Sequence, residues 1–189
     1  MLVGGFAEST YVQGKIRREL PELRLVVPED AGLAVLKGAV IYGHNPSLVV
    51  SRIMPYTYGM GGLETFDPKT HFGRDKINKG GRWYVYDWFK IFVKVNEHIN
   101  VNHRVTHSVS PSHPMLVCAV YRTVLLGPKF TTDKECELLG QLVMRVREDI
   151  PLQDQIYDVT FMFGDTELLV TVKDTTTGRE NRLTLNCLK

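Results

Sequence analysis

The closing stretch of the chain, from residue 157 onward, constrains the fold more than any other part of the sequence. Tyr157–Phe163, Glu167–Val172 and Arg182–Leu188 each alternate apolar and polar side chains. Such alternation places every second side chain on one face, which is typical of a half-buried β-strand. Gly164-Asp165 suits the two-residue type II′ turn of a hairpin. The pattern predicts three antiparallel strands that bury one common face.

The middle of the chain continues this β character. Short apolar or alternating runs predict strands, and turn residues separate them at the spacing that is typical of a β-sandwich. The segment Tyr56–Asn78 is rich in glycine, threonine and charge, so we predict a long loop there. The further predicted strands are Leu48–Met54, Arg82–Val95, Val101–Val109, Met115–Val124 and Leu138–Val146.

The first part of the chain has a different pattern, which mixes helix and strand. Thr10 and Gln13 fit a capping box, so a helix is expected over about Tyr11–Leu20. Pro28-Glu29-Asp30 predicts the start of a second helix, because acidic side chains are favourable at a helix N-terminus. We therefore predict an α+β chain whose β-rich part begins after Asn45-Pro46.

A Gly4-Gly5 turn stands between a short apolar run and the first predicted helix. Glycine tolerates positive φ and lets a ligand approach the backbone closely. The same residues also suit a plain strand-to-helix turn. Neither the GxxxxGK[ST] nor the GxGxxG pattern of phosphate-binding loops occurs. On spacing alone, a structural turn is favoured over a nucleotide site.

Charge and hydropathy exclude several classes of function. The net charge of +2 is too small for a dedicated nucleic-acid or membrane surface. No apolar run approaches the roughly 20 residues of a membrane-spanning helix. The aromatic and basic run Gly81–Lys90 has the composition of a base-stacking platform. The small net charge favours instead an amphipathic strand with Trp83 facing the core, so we expect no nucleic acid and no membrane span.

The cysteines and histidines predict neither disulfides nor a metal site. Cys118, Cys136 and Cys187 are an odd number without CxxC spacing, which fits a reducing compartment. Cys118 and Cys187 lie in apolar or alternating runs and are expected to be buried. His103 and His107 would lie about 13 Å apart on a strand, too far to share one ion. No nucleophile and base, and no isolated carboxylate pair, stand out, so no catalytic residue is predicted.

Three segments together resemble the 70-kDa heat-shock protein family: Leu2–Ser9, Pro28–Val40 and Tyr157–Asn181. The first two resemble the last two nucleotide-domain motifs of the family. The third resembles the final hairpin of its substrate-binding β-sandwich. Their spelling points to the divergent heat-shock 70 kDa protein 12 branch, and we expect a C-terminal fragment of such a protein.

The resemblance implies two domains. Residues 1–46 would be the C-terminal edge of an actin-like (ribonuclease H-like) ATPase domain, and residues 47–189 an antiparallel β-sandwich with a loop insertion at about 61–82. In the family the glycine turn lies against the adenosine of ATP, which implies Gly4, Gly5 and Phe6 as cofactor-binding residues. Glu8 stands where ordinary members have an arginine beside the adenine, and a carboxylate cannot supply cation–π stacking.

The family's β-sandwich holds extended client peptides, and its hydrophobic cleft maps onto Val109, Met115, Leu116 and Cys118. Binding would combine strand-like backbone hydrogen bonds with side-chain pockets. The implied partners are client or adaptor proteins and co-chaperones, and the implied location is the cytoplasm.

The phosphate-binding and Mg²⁺-holding segments of the family have no counterpart in this sequence. Phosphoryl transfer depends on positioning and charge stabilisation by those parts. ATP and Mg²⁺ are therefore expected as cofactors only together with the missing N-terminal half. We expect an ATP-regulated chaperone or adaptor when complete, with no ATP hydrolysis by this chain alone. The alternative is a free-standing β-sandwich interaction module without ATPase activity.

Overall fold

The computed structural model describes residues 1–45, 48–164 and 167–186. The chain forms two compact units, Met1–Val50 and Ser51–Lys189. The first unit carries the two helices, and the second carries the β-strands. That the first unit is the edge of an actin-like domain stays a prediction.

The helices of the first unit are α1, Thr10–Glu19, and α2, Ala34–His44. Ser9 is the N-cap of α1, and its hydroxyl accepts the Val12 N–H at 3.4 Å. The capping box that we predicted at Thr10 and Gln13 is wrong, because the Gln13 side chain instead donates to the Ala7 carbonyl at 2.8 Å. The N-cap is therefore Ser9, one residue before Thr10, and the Gln13 side chain binds the preceding turn.

The second helix begins at Ala34 and not at Pro28 as predicted. The amides of Ala31 and Leu33 donate to the carbonyls of Pro28 and Asp30, three residues back in each case. Such short-range bonds close turns and do not propagate an α-helix. Residues 28–33 therefore form a separate turn before α2, which we call the proline turn.

In the described part of the second unit there are eleven strands, and every pair of strands in its sheets is antiparallel. A 3₁₀ turn, Leu152–Asp154, also belongs to this unit. The strands are β1 Ser51–Ile53, β2 Thr57–Thr65, β3 Lys76–Lys79, β4 Arg82–Val93, β5 His98–Asn100, β6 His103–Val109, β7 Met115–Thr123, β8 Glu137–Arg145, β9 Tyr157–Phe163, β10 Glu167–Asp174 and β11 Glu180–Asn186.

Two larger sheets share one hydrophobic core. The five-stranded sheet has the order β3-β4-β2-β7-β8, and the four-stranded sheet has the order β11-β10-β9-β6. Both contribute to one buried cluster, in which Phe92 of β4 stacks on Phe161 of β9 with a centroid distance of 3.8 Å. This arrangement is consistent with the predicted β-sandwich.

The closing strands pair as the alternation predicts. Val170 lies opposite Phe161, and both are fully buried. The Gly164 amide donates to the Glu167 carbonyl at 2.9 Å, which closes the hairpin. Asp165 of the predicted turn and Cys187 of the last predicted strand lie outside the described residues.

The long loop predicted at Tyr56–Asn78 is wrong, because β2 and β3 lie within it. Within the expected insertion at about 61–82, the end of β2 and all of β3 bond to β4, while 66–75 form a loop. The composition of this segment predicts a loop because the glycines of β2 interrupt the alternation of side chains that indicates a strand. Phe89 of β4 packs over Gly59 instead, in the space that a side chain at this glycine would need.

A bulge in β4 breaks the alternation that we predicted for Arg82–Val95. Asp87 has a φ of 57°, and the β2–β4 register shifts between Gly62 and Glu64. An extra residue of this kind changes which side chains face inward beyond it. Trp83, predicted to face the core, lies before the bulge, near the start of β4, and is 47% exposed beside the β3–β4 turn, where Lys76 Nζ lies 5.0 Å from its ring centroid.

Candidate functional site

A gap in the five-stranded sheet creates the main groove of the second unit. β2 pairs with β7 only from Thr57 to Met60. β2 then continues to Thr65 as a partner of β4, while the first half of β7 pairs with β8. Within the described residues, 61–65 of β2 and 115–119 of β7 thus have no ladder with each other. Each presents a strand edge toward the space between them.

A cavity of about 550 Å³ fills this space, and we call it the β2–β7 groove. Its walls come from four parts of the unit, which are Met60–Leu63 of β2, the bulged part of β4, the β6–β7 connection and the beginning of β7. Lys79 Nζ donates to the Pro111 carbonyl at 3.0 Å and so ties the β6–β7 connection to β3. The groove is therefore bounded by strand edges and by one tethered loop.

Three of the four residues predicted to hold peptide line this groove. Val109 and Leu116 are partly buried, and Met115 is 48% exposed. Cys118, the fourth, does not line the groove, because its side chain is fully buried in the shared core. The position along β7 explains the split, since only the start of the strand borders the groove, whereas Cys118 and Val120 farther along are buried in the core.

The lining of the groove combines apolar and polar side chains. Met60 lies in the wall and is almost fully buried. Tyr86, Asp87, Lys90 and His113 supply the titratable groups of the lining. Such a mixture of an apolar surface with a few polar groups is usual for a ligand site.

Gly61 and Gly62 also line the groove, and our sequence reasoning missed them. A Cβ built on Gly62 meets no atom within 4 Å, so this part of the wall is open space. Consecutive glycines inside a strand indicate a close approach of another backbone or a ligand. The Gly61-Gly62 pair is visible in the sequence, but it lies in the segment for which we predict a loop.

Burial makes the Cys118 thiol unreactive. Desolvation raises its pKa from 9.0 to about 12, so the thiolate fraction at a given pH falls by roughly a thousandfold. We expect alkylation of Cys118 by iodoacetamide at pH 8 to be at least that much slower in the folded chain than in urea. Peptide-resolved mass spectrometry measures both rates. Equal rates in the two states would contradict the burial.

The same raised pKa gives a pH dependence of stability. The folded pKa lies above the unfolded one, so the contribution of the protonated thiol is complete below about pH 9. It is lost progressively as the pH rises from about 9 to about 12. Urea titrations of the wild type and of Cys118→Ala should therefore converge toward the alkaline end of this range.

The predicted cofactor-binding residues lie in one turn of the first unit, Gly4–Ser9, which we call the glycine turn. Gly4 has a φ of 98°, a conformation that favours glycine. Its amide donates to the Ala31 carbonyl of the proline turn at 2.8 Å. Gly5 is exposed, and the Phe6 ring is 83% exposed. The turn thus offers open backbone and an aromatic face to a ligand.

Glu8 is exposed as well, but its carboxylate is engaged within the first unit. Its Oε1 accepts the Gly32 N–H at 3.0 Å, so the carboxylate is directed at the proline turn. Among the four predicted residues, Gly4, Gly5 and Phe6 have no such side-chain contact with the proline turn.

Other chemistry that we weighed finds no site in the described part of the chain. Residues 1–45, 48–164 and 167–186 contain no group of three or more potential metal ligands. His107 contacts the Ile91 carbonyl at 3.2 Å and the Phe92 ring with a centroid distance of 4.5 Å. Among the described residues, no helix has the length and apolar character needed to cross a membrane.

Comparison with known proteins identifies relatives that all carry the name heat shock 70 kDa protein 12. No protein-family model matches the chain. Human heat shock 70 kDa protein 12B is 33% identical over 200 residues, which cover 99% of this chain. Mouse and human heat shock 70 kDa protein 12A are each 28% identical over 195 residues, again covering 99% of the chain. The chain spans 29% of the length of each of these relatives.

Proposed function

We propose that the second unit of this chain, whose homologues along 99% of its length are heat shock 70 kDa protein 12 proteins, binds extended polypeptide segments. The observation that carries this proposal is the β2–β7 groove. Two strands diverge there, and each turns an edge without a ladder partner toward a cavity of about 550 Å³.

An extended peptide suits such a groove for two physical reasons. Backbone N–H and C=O groups of a strand edge can pair with an added strand, which supplies affinity that does not depend on sequence. The pockets beside the edge then select side chains. Met60 and Leu116 favour apolar side chains, while Lys90 and Asp87 at the lining accommodate a polar neighbour.

The experiment is a screen of immobilised peptides with the chain, followed by anisotropy titrations of the best fluorescent peptides. We expect preferred segments to combine apolar residues with an extended conformation. Proline substituted at successive positions of a bound peptide should weaken binding at those whose N–H donates to a strand edge. The absence of any saturable binding would reject the proposal.

The first unit is, in the same proposal, part of the nucleotide-binding domain of an ATP-regulated chaperone or adaptor. The fit of the residues supports adenosine, because Gly4 and Gly5 leave the backbone open and the Phe6 ring is exposed beside them. The glycine turn carries no cationic side chain for the phosphates. When ATP is bound, phosphate and Mg²⁺ contacts would come from other parts of the longer protein.

Nucleotide titration by calorimetry tests the incompleteness of this site. The phosphates account for most of the charge recognition of ATP, and this chain offers only an adenosine-facing turn. We expect no ATP binding in the micromolar range and no hydrolysis. Adenosine and ATP should bind equally weakly. Micromolar ATP binding by the chain would contradict the account.

Exposed apolar side chains on α2 support a larger domain around the first unit. Leu36, Val40 and Ile41 are 62%, 54% and 56% exposed, and Val35 is 62% exposed. Contiguous apolar surface of this kind marks an interaction face. We propose that it packs against the rest of the nucleotide-binding domain. Amide hydrogen exchange should show less protection of α1 and α2 than of the core strands of the second unit in the isolated chain, and equal protection of both in a monomer would argue against this part.

A free-standing β-sandwich interaction module without ATPase activity is the second candidate. The hydrophobic core of the second unit favours this candidate, because residues of both larger sheets form that core. Both candidates use the β2–β7 groove, and they differ in whether nucleotide alters its affinity. Peptide titrations of a longer protein with and without ATP separate them. Client, adaptor and co-chaperone partners and a cytoplasmic location remain part of the proposal.

A further inference from the structure

We infer that Glu8 is a positioning residue, which clamps the glycine turn to the proline turn. What the clamp serves rests on the proposed nucleotide-facing role of the glycine turn. The clamp itself is a property of the first unit and can be tested without nucleotide.

Two hydrogen bonds join the turns in opposite directions. The Gly4 amide of the glycine turn donates to the Ala31 carbonyl at 2.8 Å, and the Gly32 amide of the proline turn donates to Glu8 Oε1 at 3.0 Å. Ala7 and Ala31 are both fully buried between them. The side-chain bond and the backbone bond together fix the position of one turn against the other.

Gly32 and Glu8 are sterically matched. A Cβ built on Gly32 would lie 2.6 Å from Glu8 Oε1, so any larger residue would displace the carboxylate. Gly32 also precedes the first residue of α2, Ala34, by two positions. A carboxylate at this end of a helix is favoured by the helix dipole. The hydrogen bond and the charge therefore hold Glu8 in this contact, and the absence of a side chain at Gly32 leaves room for its carboxylate.

The clamp assigns different tasks to neighbouring residues. Gly5, Phe6 and Glu8 are the exposed residues of the glycine turn, and Glu8 Oε1 accepts the Gly32 N–H. Loss of the carboxylate leaves one backbone bond between the turns, so the conformation of Gly4 and Gly5 should relax. The shape that Gly4, Gly5 and Phe6 present to a ligand thus depends on Glu8.

Amide exchange and chemical shifts measured by NMR on the intact chain test the clamp. In Glu8→Ala, the Gly32 amide should exchange about tenfold faster, as expected for loss of a charge-assisted hydrogen bond. The Gly4 and Gly5 amide shifts should move as well. Glu8→Gln should restore both readouts, because its amide oxygen still accepts the Gly32 N–H. Glu22→Ala, at an exposed position of the same unit, should leave them unchanged.

A double-mutant cycle gives an independent readout. Gly32→Ala should accelerate exchange in the glycine turn strongly when Glu8 is present and only weakly in the Glu8→Ala background, because the clash is then absent. Unchanged Gly32 exchange in Glu8→Ala, failure of Glu8→Gln to restore it, or additive effects in the cycle would overturn the clamp. Nucleotide titration decides the proposed function separately, since none of these readouts involves a ligand.

Discussion

Replacing Gly62 by valine should weaken the binding of extended peptides at least tenfold while leaving the fold intact. Gly62 lines the β2–β7 groove, and its Cβ position is surrounded by open space. A valine there would fill part of the groove without touching the core. Valine also suits a strand, so the free energy of unfolding should change by less than about 0.5 kcal/mol. Anisotropy titration and urea unfolding measure the two quantities.

Gly127 offers a matched control for this variant. Its Cβ position is equally open, its φ is not in the left-handed region, and it does not line the groove. Gly127→Val should therefore bind peptide like the wild type. Unchanged affinity in Gly62→Val, or an equal loss in both variants, would show that peptides bind elsewhere.

Gly59→Ala should cost about 3 kcal/mol of the free energy of unfolding, the largest stability effect that we expect from a single added methyl group. Gly59 lies between β4 and β7, opposite Ile91 and Tyr121. A Cβ there would collide with the Lys90 carbonyl and with the Phe89 ring, which is buried. Backbone cannot yield as a flexible side chain does, so the cost lies at the upper end for overpacking.

Gly62→Ala in the same strand is the control for Gly59→Ala. Both substitutions add one methyl group to β2, but only the first meets atoms within 4 Å. The midpoint of urea unfolding should fall for Gly59→Ala and stay within error for Gly62→Ala. A cost below about 0.5 kcal/mol at Gly59 would be incompatible with Phe89 packing over this glycine.

The contrast between these glycines shows what the sequence could predict. Local patterns succeeded where side chains alternate, as in β9 and β10, whose residues Phe161 and Val170 face each other in the core. They failed in β2, where Gly59, Gly61 and Gly62 leave no alternation to detect. β2 forms because it pairs with β4 and β7, which are distant in sequence, and a local pattern cannot predict such pairing.

The groove was predictable only in part for the same reason. The family resemblance indicated Val109, Met115 and Leu116, which line it, and Cys118, which is buried in the core. The divergence of β2 from β7 depends on which strand each one pairs with after Met60. The bulge at Asp87 likewise follows from tertiary context, because its carbonyl accepts the Thr131 amide from a distant segment at 2.7 Å.

In the first unit the sequence predicted both helices but not how their starts are arranged. The helices predicted from the periodicity are present, whereas the acidic pair at Glu29 and Asp30 predicted too early a start for α2. Tertiary contacts override the local signal there, since the Gly32 amide bonds to Glu8 from 24 residues away in sequence. Glu8 accepts the Gly32 N–H in the structure, and its predicted place at a ligand stays a prediction.

Hydrogen exchange of the chain with and without a saturating peptide tests the central claim most directly. If an extended segment binds between the diverging strands, amides in 61–65 of β2 and 115–119 of β7 should both become protected, because these edges gain a ladder partner. Protection should be absent in Gly62→Val. Saturable binding without slower exchange in either edge, or with protection confined to the four-stranded sheet, would contradict the account.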